Sequence, residues 1–131
     1  MNEQELLDLQ KMVDTAVNAL EDIKAKDIMV LDTHEKTSLF ARMIIASGDS
    51  TRQVKALANN VAVELKTAGF EILSSEGEGS GEWALVDAGD LLVHVMLPAV
   101  RDFYDIEALW GGEKPSFHAG AAKPWHAADA V

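Results

Sequence analysis

The sequence has no cysteine, which removes a disulfide scaffold, a thiolate metal site and a cysteine nucleophile at once. No apolar run approaches the roughly 18 residues that a membrane-spanning helix needs. The opening MNEQELLDLQ is acidic and lacks the basic-then-apolar order of a secretory signal. A soluble, cytoplasmic protein with no membrane contact is the expectation. Basic side chains are also scarce: 11 stand against 22 acids, a formal net charge of −11. Phosphate backbones attract basic surfaces, so direct binding to bare nucleic acid is disfavoured. A basic protein would instead be steered toward such a surface. Finally, there is no GxxxxGK[ST] or GxGxxG phosphate loop, no HExxH and no Gly-x-Ser-x-Gly elbow, so common nucleotide, zinc and serine-hydrolase signatures are missing.

What is present suits one domain with a real core: 131 residues, 48% of them hydrophobic. Leu6, Leu9, Val13, Val17 and Leu20 recur at helical spacing and predict an amphipathic first helix. DIMVLD over 27–32 and LFARMIIA over 39–46 read as buried strands. Asp49 and Ser50 then offer N-caps for a helix over 51–68, whose apolar face is Val54, Leu57, Ala58, Val61, Ala62 and Leu65 and which Gly69 stops. Residues 70–73 restart as a strand, SSEGEGSGE forms a turn, and WALVD (83–87) and LLVHVML (91–97) pair around Ala88-Gly89-Asp90. Pro98 opens a last helix over 99–110. The expected fold is a small α/β (or α+β) domain, a mixed sheet of about five strands flanked by helices, spanning residues 1–110. From Gly111 the composition turns to proline, glycine and alanine with cancelling charges, which predicts a flexible C-terminal tail over 111–131.

The charge is concentrated. Between Glu71 and Glu107 nine acids face one base, Arg101. A solvated acidic surface explains such a run as readily as a partner does. Within it, Asp87, Asp90 and His94 form the most enzyme-like group, since two carboxylates and an imidazole can hold a divalent metal or move protons. Period-two strand geometry argues against their convergence on one point. Ser47-Gly48-Asp49-Ser50 resembles an anion-binding helix start, although Asp49 would repel an anion and a simple capped helix accounts for it. In the last helix Arg101 and Tyr104 fall on a face that can reach a partner, both residue types being favoured at binding hot spots. Phe103, Ile106 and Trp110 are expected to pack on the sheet.

Four blocks, KAKDIMVLD, IIASGDSTRQVKALANNV, EGEGSGEWALVDAGDLLVHVM and RDFYDIEALW, resemble the Iojap-type ribosomal silencing factors in order and spacing, across about residues 1–110. The SGDSTRQV and EGxxxGxW segments are the most specific. The resemblance implies a nucleotidyltransferase-like fold without an active site, and no cofactor or metal. It implies binding to the large ribosomal subunit through ribosomal protein fourteen, steric blockage of subunit joining, and damped translation under nutrient limitation, with a homodimer as a further state. Carried over by position, the contact surface would include Trp83, Asp87, Asp90, His94, Arg101 and Tyr104, while Ser47, Arg52 and Gln53 would stabilise the strand–helix junction. Ala41 departs from the pattern, many members having an acid there. The competing expectation is a nucleotidyltransferase-like enzyme using Asp87 and Asp90 with a divalent metal.

Overall fold

A computed structural model describes residues 1–77 and 80–110; the predicted tail lies outside them. Helix α1 (Glu3–Asp22) leads into strands β1 (Lys26–Asp32) and β2 (Arg42–Ser47), followed by helix α2 (Thr51–Thr67), strands β3 (Ser74–Glu76), β4 (Trp83–Asp87) and β5 (Leu91–Met96), and short helices α3 (Pro98–Tyr104) and α4 (Ile106–Leu109). The strands form one mixed sheet in the order β1-β2-β5-β4-β3. All neighbours are antiparallel except β2 and β5, which run parallel with Ile45 opposite His94. This is the expected mixed α/β fold of five strands with flanking helices.

Each strand alternates its side chains between two faces. On one face Ile44, Ala84, Val86, Leu91, Val93 and Val95 meet the apolar stripes of α1 and α2 in the main core. The stripe of α1 is the expected one from Leu9 onward, but Leu6 stays about half exposed. The junction after β2 is held by polar bonds. The Ser50 hydroxyl caps α2 by accepting from the Gln53 N–H, and the Gln53 amide donates to the carbonyls of Ile23 and Lys24. Ser50 is therefore the N-cap of the two candidates, and Gln53 acts at this junction as expected, whereas Arg52 is exposed and the Ser47 hydroxyl instead accepts from Arg101.

The other face has a smaller core of Met29, Leu31, Phe40, Met43, Ile45, Met96 and Ile106, covered by the α3–α4 segment. The single helix expected over 99–110 is broken in two. Asp105 adopts a left-handed conformation (φ 47°, ψ 53°) that ends α3 and starts α4, a conformation aspartate tolerates better than most residues. The break redirects the side chains: Ile106 is buried and Trp110 packs edge-on against Phe40 at 5.0 Å, but Phe103, expected in the core, is 79% exposed.

Two strand boundaries also differ. Residues 39–41 precede β2, which begins at Arg42, where the backbone N–H groups of Ala41 and Arg42 share the Asp90 carbonyl. Residues 70–73 are a connector, and the edge strand is Ser74–Glu76, inside the segment read as a turn. Gly77 permits this arrangement. Its φ is +98°, and a Cβ there would lie 2.0 Å from the Trp83 carbonyl oxygen, so no other residue lets the two backbones approach so closely.

The α3–α4 segment is tied down by Arg101. Its guanidinium donates from Nε to Glu107 Oε1 at 2.8 Å, and from Nη1 to the Asp27 carbonyl at 2.6 Å and the Ser47 hydroxyl at 3.0 Å. Asp27 presents that carbonyl from a left-handed residue (φ 52°) at an irregularity in β1. Both partners of the ion pair are buried. Removing one charge strands the other, a loss of about 3–5 kcal/mol. Arg101→Met is thus expected to lower unfolding free energy by that order in chemical denaturation, and Arg101→Met with Glu107→Leu to recover much of it.

Candidate functional site

The cover provided by α3 and α4 stops short of the β3 edge. On that part of the second face Trp83 and Leu85 from β4 and Leu92 and His94 from β5 are only half-buried. Leu85 sits opposite His94 and Trp83 opposite Met96. Tyr104 at the end of α3 leans over Trp83 with ring centroids 4.9 Å apart, and Phe103 stands edge-on to Tyr104 at 5.0 Å. His94, Trp83, Tyr104 and Phe103 thereby form a continuous aromatic row. Beside it is a recess of about 310 Å³ walled by Glu76, Gly77, Trp83, Leu85 and His94. A larger hollow of about 470 Å³ lies against the 34–38 loop and Asp90; its rim mixes charges of both signs and it has no comparable row of rings.

Trp83 and His94 are also joined by a hydrogen bond, the indole Nε1–H donating to His94 Nδ1 at 2.9 Å. An indole nitrogen can only donate, so Nδ1 is unprotonated and the imidazole is neutral. Burial favours the same state, since loss of solvation penalises the charged ring and lowers the His94 pKa to about 4.

The sequence-derived site residues separate into three groups. Trp83, His94 and Tyr104 come together in the row. Asp87 and Asp90 do not join them as ligands: an Asp87 carboxylate oxygen accepts from the Gly89 N–H within the β4–β5 turn, and Asp90 is exposed at that turn. Among the described residues no group of three or more histidine and acidic side chains is arranged to hold a metal ion. Arg101 corrects a third expectation. It is 3% exposed and points inward, where Glu107 accepts from its Nε and Asp27 and Ser47 accept from its Nη1; it supports the surface from behind. Ala41 is buried as well, so its side chain contributes nothing to this face.

Sequence reasoning missed Leu85, Glu76 and Phe103. Period-two alternation alone places Leu85 with Trp83 and Asp87 on one face. The signal for Phe103 was Asp105, an aspartate inside an apparent helix, where its preference for cap and turn conformations breaks the apolar stripe.

Residues 7–130 match the profile described as ribosomal silencing factor during starvation. The chain belongs to the ribosomal silencing factor family. The match also takes in most of the C-terminal stretch that the four blocks left out. The ribosomal silencing factor RsfS of Chromobacterium violaceum is 69% identical over 121 residues, covering 92% of this chain and 99% of its own length. The chloroplastic Iojap protein of Zea mays is 31% identical over 97 residues, 74% of this chain and 42% of its own. An X-ray structure of a C. violaceum protein superposes with a TM-score of 0.80 at 71% identity, covering 88% of this chain and 97% of that one. None of the helices among the described residues is long and apolar enough to cross a membrane.

The lowered His94 pKa makes stability depend on pH. Below the unfolded value of 6.5 the unfolded chain binds the proton more readily than the fold, so stability falls as pH drops from about 6.5 to about 4 and is fully present above that window. The span corresponds to on the order of 3 kcal/mol. His94→Gln is expected to flatten this part of the curve, measured as denaturation midpoint against pH.

Proposed function

We propose that this protein silences translation by binding the large ribosomal subunit through ribosomal protein fourteen and so blocking the approach of the small subunit. The observation that carries the reading is the aromatic row on the uncovered margin of the second face, half-buried at Trp83 and His94 and exposed at Tyr104 and Phe103, in a chain of net charge −11. Aromatic side chains bury much area at low entropic cost and dominate the centres of binding interfaces. The surrounding acids, Glu76, Glu82, Asp87, Asp90 and Asp102, attract a basic ribosomal protein and repel bare nucleic acid. Trp83 and Tyr104 act as anchors, Asp87 and Asp90 as rim charges, and Arg101 as the internal prop that holds Tyr104 in place.

The action is steric and occurs in the cytoplasm, where subunits join. It needs no turnover, cofactor or metal: occupancy of the joining surface is enough to repress translation when nutrients run short. The membership of the chain in the silencing-factor family supports this over an enzymatic role. A homodimer, the further state implied by the resemblance, would be a resting form whose relation to docking is measurable by the same sedimentation.

Sucrose-gradient sedimentation with separated subunits tests the proposal. The protein is expected to migrate with the large subunit, to reduce the yield of joined ribosomes as it is added, and to bind isolated ribosomal protein fourteen. Association is expected to weaken between about 50 and 500 mM salt, as the Debye length shrinks from above 10 Å to below 5 Å. Tyr104→Ala is expected to reduce affinity roughly 10- to 100-fold while leaving the unfolding midpoint nearly unchanged, Tyr104 being 53% exposed. Absence of large-subunit binding at low salt would sink the reading.

A further inference from the structure

His94 has two nitrogens and the fold uses one. Nδ1 is committed as the acceptor of the Trp83 indole N–H at 2.9 Å. The proton of the neutral ring is therefore on Nε2, and among the described residues the one side-chain hydrogen bond of His94 is that made by Nδ1. The imidazole also forms part of the wall of the recess beside Trp83, Leu85 and Gly77. Trp83 and Leu85 line it with apolar surface, and among the described residues its polar side chains are His94 and Glu76, an acid at the rim. A neutral donor in such a place selects for an acceptor. Glu76 and the acidic surface around it would repel a carboxylate or phosphate, which leaves an uncharged oxygen.

We propose that His94 is the specificity-determining donor of this surface, its Nε2–H bonding a main-chain carbonyl of a partner loop whose apolar side chain fills the recess. The inference rests on the binding reading given above and adds the chemistry of the contact. The occupant is a segment of a basic protein: an apolar residue enters between Trp83 and Leu85, its carbonyl meets His94, and flanking lysine or arginine side chains reach the acidic rim. One imidazole then does two things. It fixes the plane of the indole from one nitrogen and reads the partner's backbone with the other. A partner carbonyl buried without a donor loses its hydrogen bonds to water and gains none in return, so discrimination here is larger than the strength of one exposed hydrogen bond.

Two variants separate these roles. In His94→Asn the side-chain oxygen replaces Nδ1, so the indole keeps its acceptor while the distal donor is lost. In His94→Gln the terminal amide replaces Nε2–H, so the distal donor is kept while the indole loses its acceptor. Binding of each full-length variant to purified large subunits and to isolated ribosomal protein fourteen would be measured. The Trp83 indole N–H resonance and its solvent exchange would be followed by NMR in the free proteins. Expected are a roughly 10- to 100-fold weaker affinity for His94→Asn with a native-like, protected indole resonance, and near-native affinity for His94→Gln with faster indole exchange. Unchanged affinity of His94→Asn would overturn the donor assignment, as would equal weakening of both variants with faster indole exchange in each, since His94 would then act through Trp83 alone. Failure of the unaltered protein to bind would instead remove the underlying reading of the surface.

Discussion

A single buried guanidinium organises the second face of the sheet. Arg101 gathers the end of β2, the irregular start of β1 and helix α4 into one cluster, and everything that α3 presents follows from that anchorage. Burying a charge is expensive, and the cost is offset only by close, well-directed acceptors. The cluster supplies them through a carboxylate, a carbonyl and a hydroxyl. With Arg101 turned inward, helical geometry of about 100° per residue sends Phe103 nearly to the opposite side and leaves Tyr104 flanking the seam. Their exposures of 79% and 53% are thus consequences of one internal ion pair.

The sheet divides its labour between its faces. One is sealed by two long amphipathic helices and accounts for most of the core. The other is sealed only over β1, β2 and the end of β5, which leaves a half-buried margin near β3. A margin of this kind combines rigidity with access. Strands hold Trp83, Leu85 and His94 at fixed spacing, and the packed helices behind them prevent collapse. The Trp83–His94 hydrogen bond removes a further freedom by fixing the indole. The result is a preorganised surface, which lowers the entropic cost of binding.

Much of the fold was legible because periodicity reports it directly. The stripes of α1 and α2, the Ser50 cap, and the alternation in β4 and β5 are short-range patterns that tertiary context did not override. Errors arose where a distant residue decided the local geometry. The strand expected from Leu39 begins at Arg42, where Ala41 and Arg42 share the carbonyl of the distant Asp90. The helix expected to continue to Trp110 breaks at Asp105, and no local spacing reveals that Glu107 is required beneath Arg101. The site was legible in the same proportion. Trp83, His94 and Tyr104 could be grouped by strand register and residue type, whereas Arg101 reads as an interface arginine in sequence and becomes internal only when Asp27, 74 positions away, offers it a carbonyl.

The parallel pairing of β2 with β5 has a consequence for how the chain acquires this shape. It joins Arg42–Ser47 to Leu91–Met96, so the middle of the sheet closes a loop that holds α2 and both strands of the β3–β4 hairpin. Such non-local contacts are repaid only after the loop-closure entropy has been spent, and they slow folding relative to helical bundles. Of the strands among the described residues β5 is also the last to be synthesised, and β2 has only β1 beside it until then. A truncated product ending before Leu91 would expose the strand edge and apolar face that β5 normally covers. The same central strand that gives the finished domain its rigidity therefore makes its incomplete forms prone to aggregate and to be degraded.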